Sequence, residues 1–233
     1  MRAQFVDLAP EGFEEAERGD AIELAAYGDA AERVRAAFPD ARVDDVEPGW
    51  EDRWREFHRP VQIGPLWVGP PWETPPPGAT PVVIDPGRAF GTGAHPTTRL
   101  CLELLLEQER GSVVDVGCGS GVLSIAAASL GHAPVHARDN AEAAVEATRE
   151  NAAANGVEVD AAVADATTEA LPQTDLAVAN IALAAVEQLA HTLDSERVIT
   201  SGYLVADRPE LAGYAHVERR ERDGWAADLF RRA

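Results

Sequence analysis

Lysine is missing from this chain altogether: all 20 basic side chains are arginine, set against 40 acidic ones, for a formal net charge of -20. Such an excess of carboxylates repels phosphate backbones and sets nucleic acid aside as a direct partner. It favours encounter with a basic protein or, more simply, gives a well-solvated acidic surface. Cysteine is scarce too: Cys101 and Cys118 make no disulfide framework and lack metal-ligand spacing, so reduced thiols and no metal are expected. No apolar run reaches membrane-spanning length, and Met1-Arg2-Ala3-Gln4 leads into no signal-peptide core. A cytoplasmic protein without membrane contact is therefore expected. What the chain does have is 233 residues, 45% of them hydrophobic, enough for one ordinary domain with an appendage around a buried core.

The organising stretch is Val113-Val114-Asp115-Val116, then Gly117-Cys118-Gly119-Ser120-Gly121, then the helical pattern Val122 to Leu130. That order reads strand, tight turn, helix. Glycines at such a turn admit backbone conformations closed to other residues and let a ligand approach the main chain, while the helix N-terminus offers N–H groups. Pro134 to Ala137 reads as the next strand, and Asp139 stands just past it, about 20 residues after the glycines, where a carboxylate can bind ribose hydroxyls. The dinucleotide fingerprint G-x-G-x-x-G would need a glycine where Val122 stands, which disfavours NAD and a nicotinamide-dependent oxidoreductase. Read as D-x-G-x-G-x-G with an acid after the second strand, the stretch resembles the S-adenosylmethionine loop of the Rossmann-like methyltransferases.

Upstream, Ala21 to Tyr27 reads as a strand, Ala30 to Phe38 as a helix stopped by Pro39, and Arg42 to Val46 as another strand. Together they suggest a very small α/β module that buries little by itself. Trp50, Trp54, Phe57 and His58 share one helical face, a packing stripe before a substrate contact. Val61 to Trp67 reads as a strand and Gly69 to Gly78 as a stiff, proline-rich connection. The expected divisions are 1–50, 51–79 and 80–233.

Pro81 to Ile84 is the next expected strand, followed by a glycine- and proline-rich loop whose Thr97 or Thr98 can cap a helix running to Glu109. Hydroxyls and backbone N–H groups in such a loop suit it to close over a ligand. His95, before a proline, reads as a structural hydrogen-bonder ahead of an acid or base. The chain then alternates β and α. Ala141 to Ala154 is a helix closed by Asn155-Gly156, and Val157 to Val163 is a strand with Asp165 just beyond it. Asp175 to Ile181 is a strand ending on Asn180, Arg197 to Ser201 a fifth, and His216 to Arg219 with Trp225 to Phe230 a closing hairpin. Asp165 reads either as a turn residue or as a ligand contact. Asn180 stands where ligands bind in open parallel sheets, and also where it can cap a helix over Ala182 to Leu193.

The motifs D-P-G-R-A-F-G-T-G-A-H-P-T-T and D-V-G-C-G-S-G come in this order, after W-x-x-x-W-x-x-F-H and L-W-V-G-P-P-W. This series resembles the PrmA family, which methylates protein L-eleven of the large ribosomal subunit, from about residue 50 onward. The resemblance implies a Rossmann-like α/β fold with a seven-stranded, mostly parallel sheet, and S-adenosyl-L-methionine as cofactor. It also implies methyl transfer to lysine or N-terminal amines and a ribosomal protein as partner. Thr98, Gly117, Asp139 and Asn180 match the family's cofactor contacts, with Gly119 and the loop residues Phe90, Thr92 and Gly93 beside them. Asp165 is placed facing the adenine, and Asn180, lining the target-amine pocket, is the expected catalytic residue. The chain departs from the family at Asn140-Ala141-Glu142, where a second acid and a proline often follow Asp139. Residues 1–50 look like a shortened substrate-recognition module. Two other readings stay open: a methyltransferase for another protein or a small amine, and a non-catalytic S-adenosylmethionine-binding protein.

Overall fold

A computed structural model of the chain describes residues 8, 14–18, 21–26, 29–42, 59–85 and 93–233. These divide between two units, Met1–Arg55 and Glu56–Ala233. The expected strand beyond Arg42, the aromatic stripe Trp50, Trp54, Phe57 and His58, and the loop positions Phe90 and Thr92 lie outside the described residues.

In the first unit β1 (Glu14–Arg18) and β2 (Ala21–Ala25) pair antiparallel, Glu14 opposite Ala25 and Arg18 opposite Ala21. The segment E-E-A-E-R carries no apolar alternation, so its strand is a product of pairing with β2 rather than of local pattern. α1 (Asp29–Ala37) buries Ala30 and Val34, one turn apart on a single face.

The second unit is built on β6 (Val113–Val116), buried at every position, as expected of a parallel strand covered on both faces. Around it run β7 (Val135–Asp139), β8 (Asp160–Val163), β9 (Thr174–Asn180) and β10 (Ser195–Leu204), all parallel. β11 (Tyr214–Arg222) and β12 (Trp225–Arg232) close the sheet, β12 lying antiparallel between β10 and β11. The spatial order β11-β12-β10-β9-β6-β7-β8 is the expected seven-stranded, mostly parallel sheet.

Helices α2 (Pro96–Leu106) and α3 (Val122–Ser129) bury Leu100, Leu104 and Ile125 with Leu176 and Ile199 in one core. α4 (Glu142–Asn155) ends on Gly156 in the left-handed region. α5 (Leu183–Gln188) is shorter than expected and passes into a 3-10 turn at Leu189–His191. Leu189 packs with Val114, Val116 and Phe230 in a second cluster.

The strand expected over Val61 to Trp67 is a hairpin, β3 (Val61–Ile63) and β4 (Leu66–Gly69), broken by the Gly64-Pro65 turn. β5 (Thr80–Val83) adds to β4 in parallel, so the proline-rich stretch connects two strands of one small sheet. Ile63, Val68 and Val82 of that sheet enter the same core as α2 and α3. No helix among the described residues is long and apolar enough to cross a membrane.

Candidate functional site

The parallel strands β6, β7, β8 and β9 all end on one edge of the sheet, and a cavity of about 330 Å³ opens there. Its size falls at the lower end of the range of small-molecule pockets. Thr98, Gly117, Gly119, Asp139, Asp165 and Asn180 all line it, brought from four strand ends and the first turn of α2. Gly93 is not on its wall: a Cβ there would meet Val68 Cγ1 at 2.4 Å, so this glycine serves close packing on β4.

The glycine loop leaves β6 with the Gly117 N–H donating to the Arg138 carbonyl at 2.7 Å. Gly117 has φ +70°, and a Cβ on it would lie 2.3 Å from Ile181 Cγ2. Only glycine both takes that conformation and admits the Ile181 side chain beside the loop. Asp139, the last residue of β7, accepts from the Gly119 N–H on Oδ2 and from the Ala141 N–H on Oδ1, both at 3.0 Å. The carboxylate is thereby fixed between the loop and the next turn. Its remaining acceptor sites suit a pair of hydroxyls.

Asp165 follows β8 in a tight turn, its Oδ1 accepting from the Thr167 N–H at 3.0 Å and the Thr167 hydroxyl at 2.6 Å. That hydroxyl and amide hold its carboxyl below the usual carboxylate range. Ala164, Ala166 and Leu189 add an apolar surface around it.

Asn180, the last residue of β9, does not cap α5: the N-cap is Ala182, with no side-chain capping bond. The Asn180 amide instead donates from Nδ2 to Thr98 Oγ1 at 3.3 Å, inside the cavity wall. Thr98, fully buried, is likewise no helix cap. His95 caps α2, its Nδ1 accepting from the Thr97 N–H at 3.3 Å and lying 2.7 Å from the Thr97 hydroxyl. Its ring stands edge-on to Trp225 at 4.9 Å, and burial pushes its pKa down. The structural reading of this histidine therefore has the better support.

Arg138, Asn140, Thr167 and Ala185 also line the cavity and were not singled out from sequence. The first three flank Asp139 and Asp165, and adjacency was the signal available. Ala185 carried none, because only the return of α5 over the strand ends brings it to the wall.

Comparison with known proteins places this arrangement. The family described as "Ribosomal protein L11 methyltransferase (PrmA)" matches residues 17–232. A ribosomal protein L11 methyltransferase of Symbiobacterium thermophilum is 40% identical over 202 residues, covering 78% of this chain and 66% of the relative. Its counterpart in Caldanaerobacter subterraneus is 33% identical over 230 residues, covering 90% of this chain and 72% of the relative. The crystal structure of a ribosomal protein L11 methylase from Lactobacillus delbrueckii subsp. bulgaricus superposes with a TM-score of 0.65 at 30% identity, over 75% of this chain and 99% of that one. The chain spans about two thirds of the length of the curated relatives it matches. Methyltransferases of this kind use S-adenosylmethionine as methyl donor.

Proposed function

Because the chain belongs to the ribosomal protein L11 methyltransferase (PrmA) family, we propose that it transfers methyl groups from S-adenosylmethionine to amino groups of ribosomal protein L11, on lysine side chains or the N-terminus. The observation that carries the reading is the convergence of the glycine loop, Asp139 and Asn180 on one cavity. The residues fit the cofactor: a loop cleared of side chains at Gly117, a carboxylate for the ribose at Asp139, and Asp165 beside apolar Ala164 and Ala166 for the adenine. When bound, the cofactor supplies a methyl already activated on a sulfonium.

What remains for the protein is to align an amine and exclude water. With Nδ2 of Asn180 donated to Thr98, the amide oxygen is left to accept a hydrogen bond from the incoming amine and aim its lone pair. A lysine amine titrates near ~10.4 in water, and a desolvated site beside a positive charge lowers that value. The proton leaves to solvent before transfer. The acidic chain, net -20, favours a basic protein partner over nucleic acid, and the reading places the enzyme in the cytoplasm.

The test is transfer of labelled methyl to purified ribosomal protein L11, with calorimetry of cofactor binding alongside. Since this chain has no lysine, label recovered as methyl-lysine belongs to the substrate. Asn180→Ala is expected to lower kcat by about 100-fold while cofactor affinity stays within about threefold, the mark of an interaction made in the transition state. Equal loss of both would reduce Asn180 to a cofactor contact. Cofactor binding without label on L11 would turn the search to another protein or a small amine.

A further inference from the structure

Helix α4 meets the glycine loop with two buried polar side chains one turn apart. Thr148 Oγ1 lies 3.1 Å from the Gly119 carbonyl and 3.2 Å from Cys118 Sγ, its one proton shared between them. Asn151 donates from Nδ2 to the Ser120 carbonyl at 2.9 Å and accepts on Oδ1 from the Asp85 N–H at 3.1 Å. The orientation of that amide is forced: turned over, it would set oxygen against oxygen and NH2 against N–H. Two consecutive loop carbonyls, of Gly119 and Ser120, are thus both held toward α4. Contact is close as well, for a Cβ on Gly121 would lie 2.9 Å from Thr148 Cγ2.

A helix face packed against a sheet ordinarily buries apolar groups, and α4 does so at Val145 and Ala152. Thr148 and Asn151 interrupt that face at 0% and 5% exposure, where unbonded polar groups would be costly. Their side chains bond to the loop and, for Asn151, to the chain just after β5. Gly119 stands between two holds, its carbonyl turned to Thr148 and its N–H to Asp139 Oδ2.

We propose that Thr148 and Asn151 are positioning residues for cofactor binding. By fixing the carbonyl side of the Gly119 and Ser120 peptides they set which way the loop faces the cavity, and through Gly119 they hold the Asp139 carboxylate in register with it. This rests on the reading that the cavity takes S-adenosylmethionine, and it adds that the affinity is set by a helix one layer behind the loop.

The experiment is calorimetric titration of S-adenosylmethionine, with thermal melts and steady-state kinetics, on the wild type and four variants. Thr148→Val and Asn151→Ala each remove a loop hold. They are expected to weaken cofactor affinity by about tenfold or more, while kcat at saturating cofactor falls less than affinity does. Thr148→Ser keeps the hydroxyl and is expected to stay within about threefold of wild type. Asn155→Ala is the structural control. It cuts the pair of bonds to the Val83 backbone, at 2.8 and 2.6 Å, and one to the Asn151 backbone carbonyl at 2.8 Å, but leaves the Asn151 side chain and the loop bonded, so it lowers Tm and leaves affinity in place. Wild-type affinity in Thr148→Val and Asn151→Ala, or an equal loss in Asn155→Ala, would overturn the proposal. Failure of the unsubstituted chain to bind S-adenosylmethionine would overturn the reading of the cavity instead.

Discussion

Carboxylates stand at both ends of the central strands with similar partners and different consequences. At the amino end, Asp175 Oδ2 accepts from the Ser112 N–H and the Ser112 hydroxyl, each at 2.7 Å. Gly111 is so near that a Cβ there would sit 2.4 Å from the same oxygen. At the carboxyl end, Asp139 takes one longer bond on each oxygen, from Gly119 and Ala141. Judged by bonds, Asp175 is the better held, and the Ser112 hydroxyl and amide keep its carboxyl below the usual range. Yet only Asp139 of the two lines the cavity. Asp175 spends its interactions closing the entry to β9 against the entry to β6. Asp139 joins the glycine loop to the following turn and keeps acceptor capacity toward the ligand. The end of the sheet, not the strength of the bonding, separates a site from a staple, because only the carboxyl ends of parallel strands diverge into a crevice.

The largest effect expected from breaking this comparison is in Asp139→Ala. Hydrogen bonds to a charged group are worth about 1.5–3 kcal/mol each, so if Asp139 accepts from two ribose hydroxyls, as proposed, its loss weakens cofactor affinity by roughly 100-fold or more. Asp175→Ala is expected to leave that affinity unchanged and to lower Tm by a few degrees, which thermal melts and calorimetry on the same samples would show. A cofactor defect in Asp175→Ala would erase the distinction between the two ends.

A third carboxylate lies inside the sheet. Asp115 on β6 accepts from the Ser124 N–H at 3.0 Å and its hydroxyl at 2.5 Å, both on Oδ2, while its buried Oδ1 has no hydrogen-bond partner among the described residues. Burial raises its pKa to about 6, against those two bonds. A carboxyl whose folded pKa is raised binds its proton more tightly when folded. Its contribution to stability is full below the unfolded value near ~4 and is lost as pH rises through about 6. Stability is therefore expected to fall between about pH 4 and 6 relative to Asp115→Asn, by an amount on the order of 2–3 kcal/mol. Urea titrations of both proteins across that window measure it, and parallel curves would refute the account.

Much of this was legible in the residues because it rests on local pattern. The run Val113 to Val116 followed by glycines declares a parallel strand and its loop, and Asn155-Gly156 declares the end of α4, which Gly156 closes in the left-handed region. Asp139, Asp165 and Asn180 were found from their place at strand ends. What sequence did not give depends on contacts between distant segments. Glu14–Arg18 becomes a strand only through β2. The helix cap falls on His95 rather than a threonine because Pro96 already occupies the first helical position and Thr98 faces Asn180. Thr148 and Asn151 look like ordinary polar residues of a surface helix until the loop carbonyls are found against them.

The smallest effect sharpens the comparison within the cavity itself, by making one substitution at two of its carboxylates. Asp165 receives two bonds from Thr167 on a single oxygen, with the Thr168 side chain adding to the hold on the carboxyl, so an asparagine there keeps the Thr167 bonds with its carbonyl and gives up the charge. Asp139 has an N–H donor on each oxygen, so an asparagine there must set its NH2 against either Gly119 or Ala141. On the proposed placement of Asp165 at the adenine, Asp165→Asn is expected to weaken S-adenosylmethionine binding by about three- to tenfold, the loss of one exposed acceptor. Asp139→Asn should cost several times more. Both can be read from one set of calorimetric titrations, and since neither substitution changes side-chain volume appreciably, a reversed order would mean that the bonding pattern on each carboxylate does not govern what it offers the ligand.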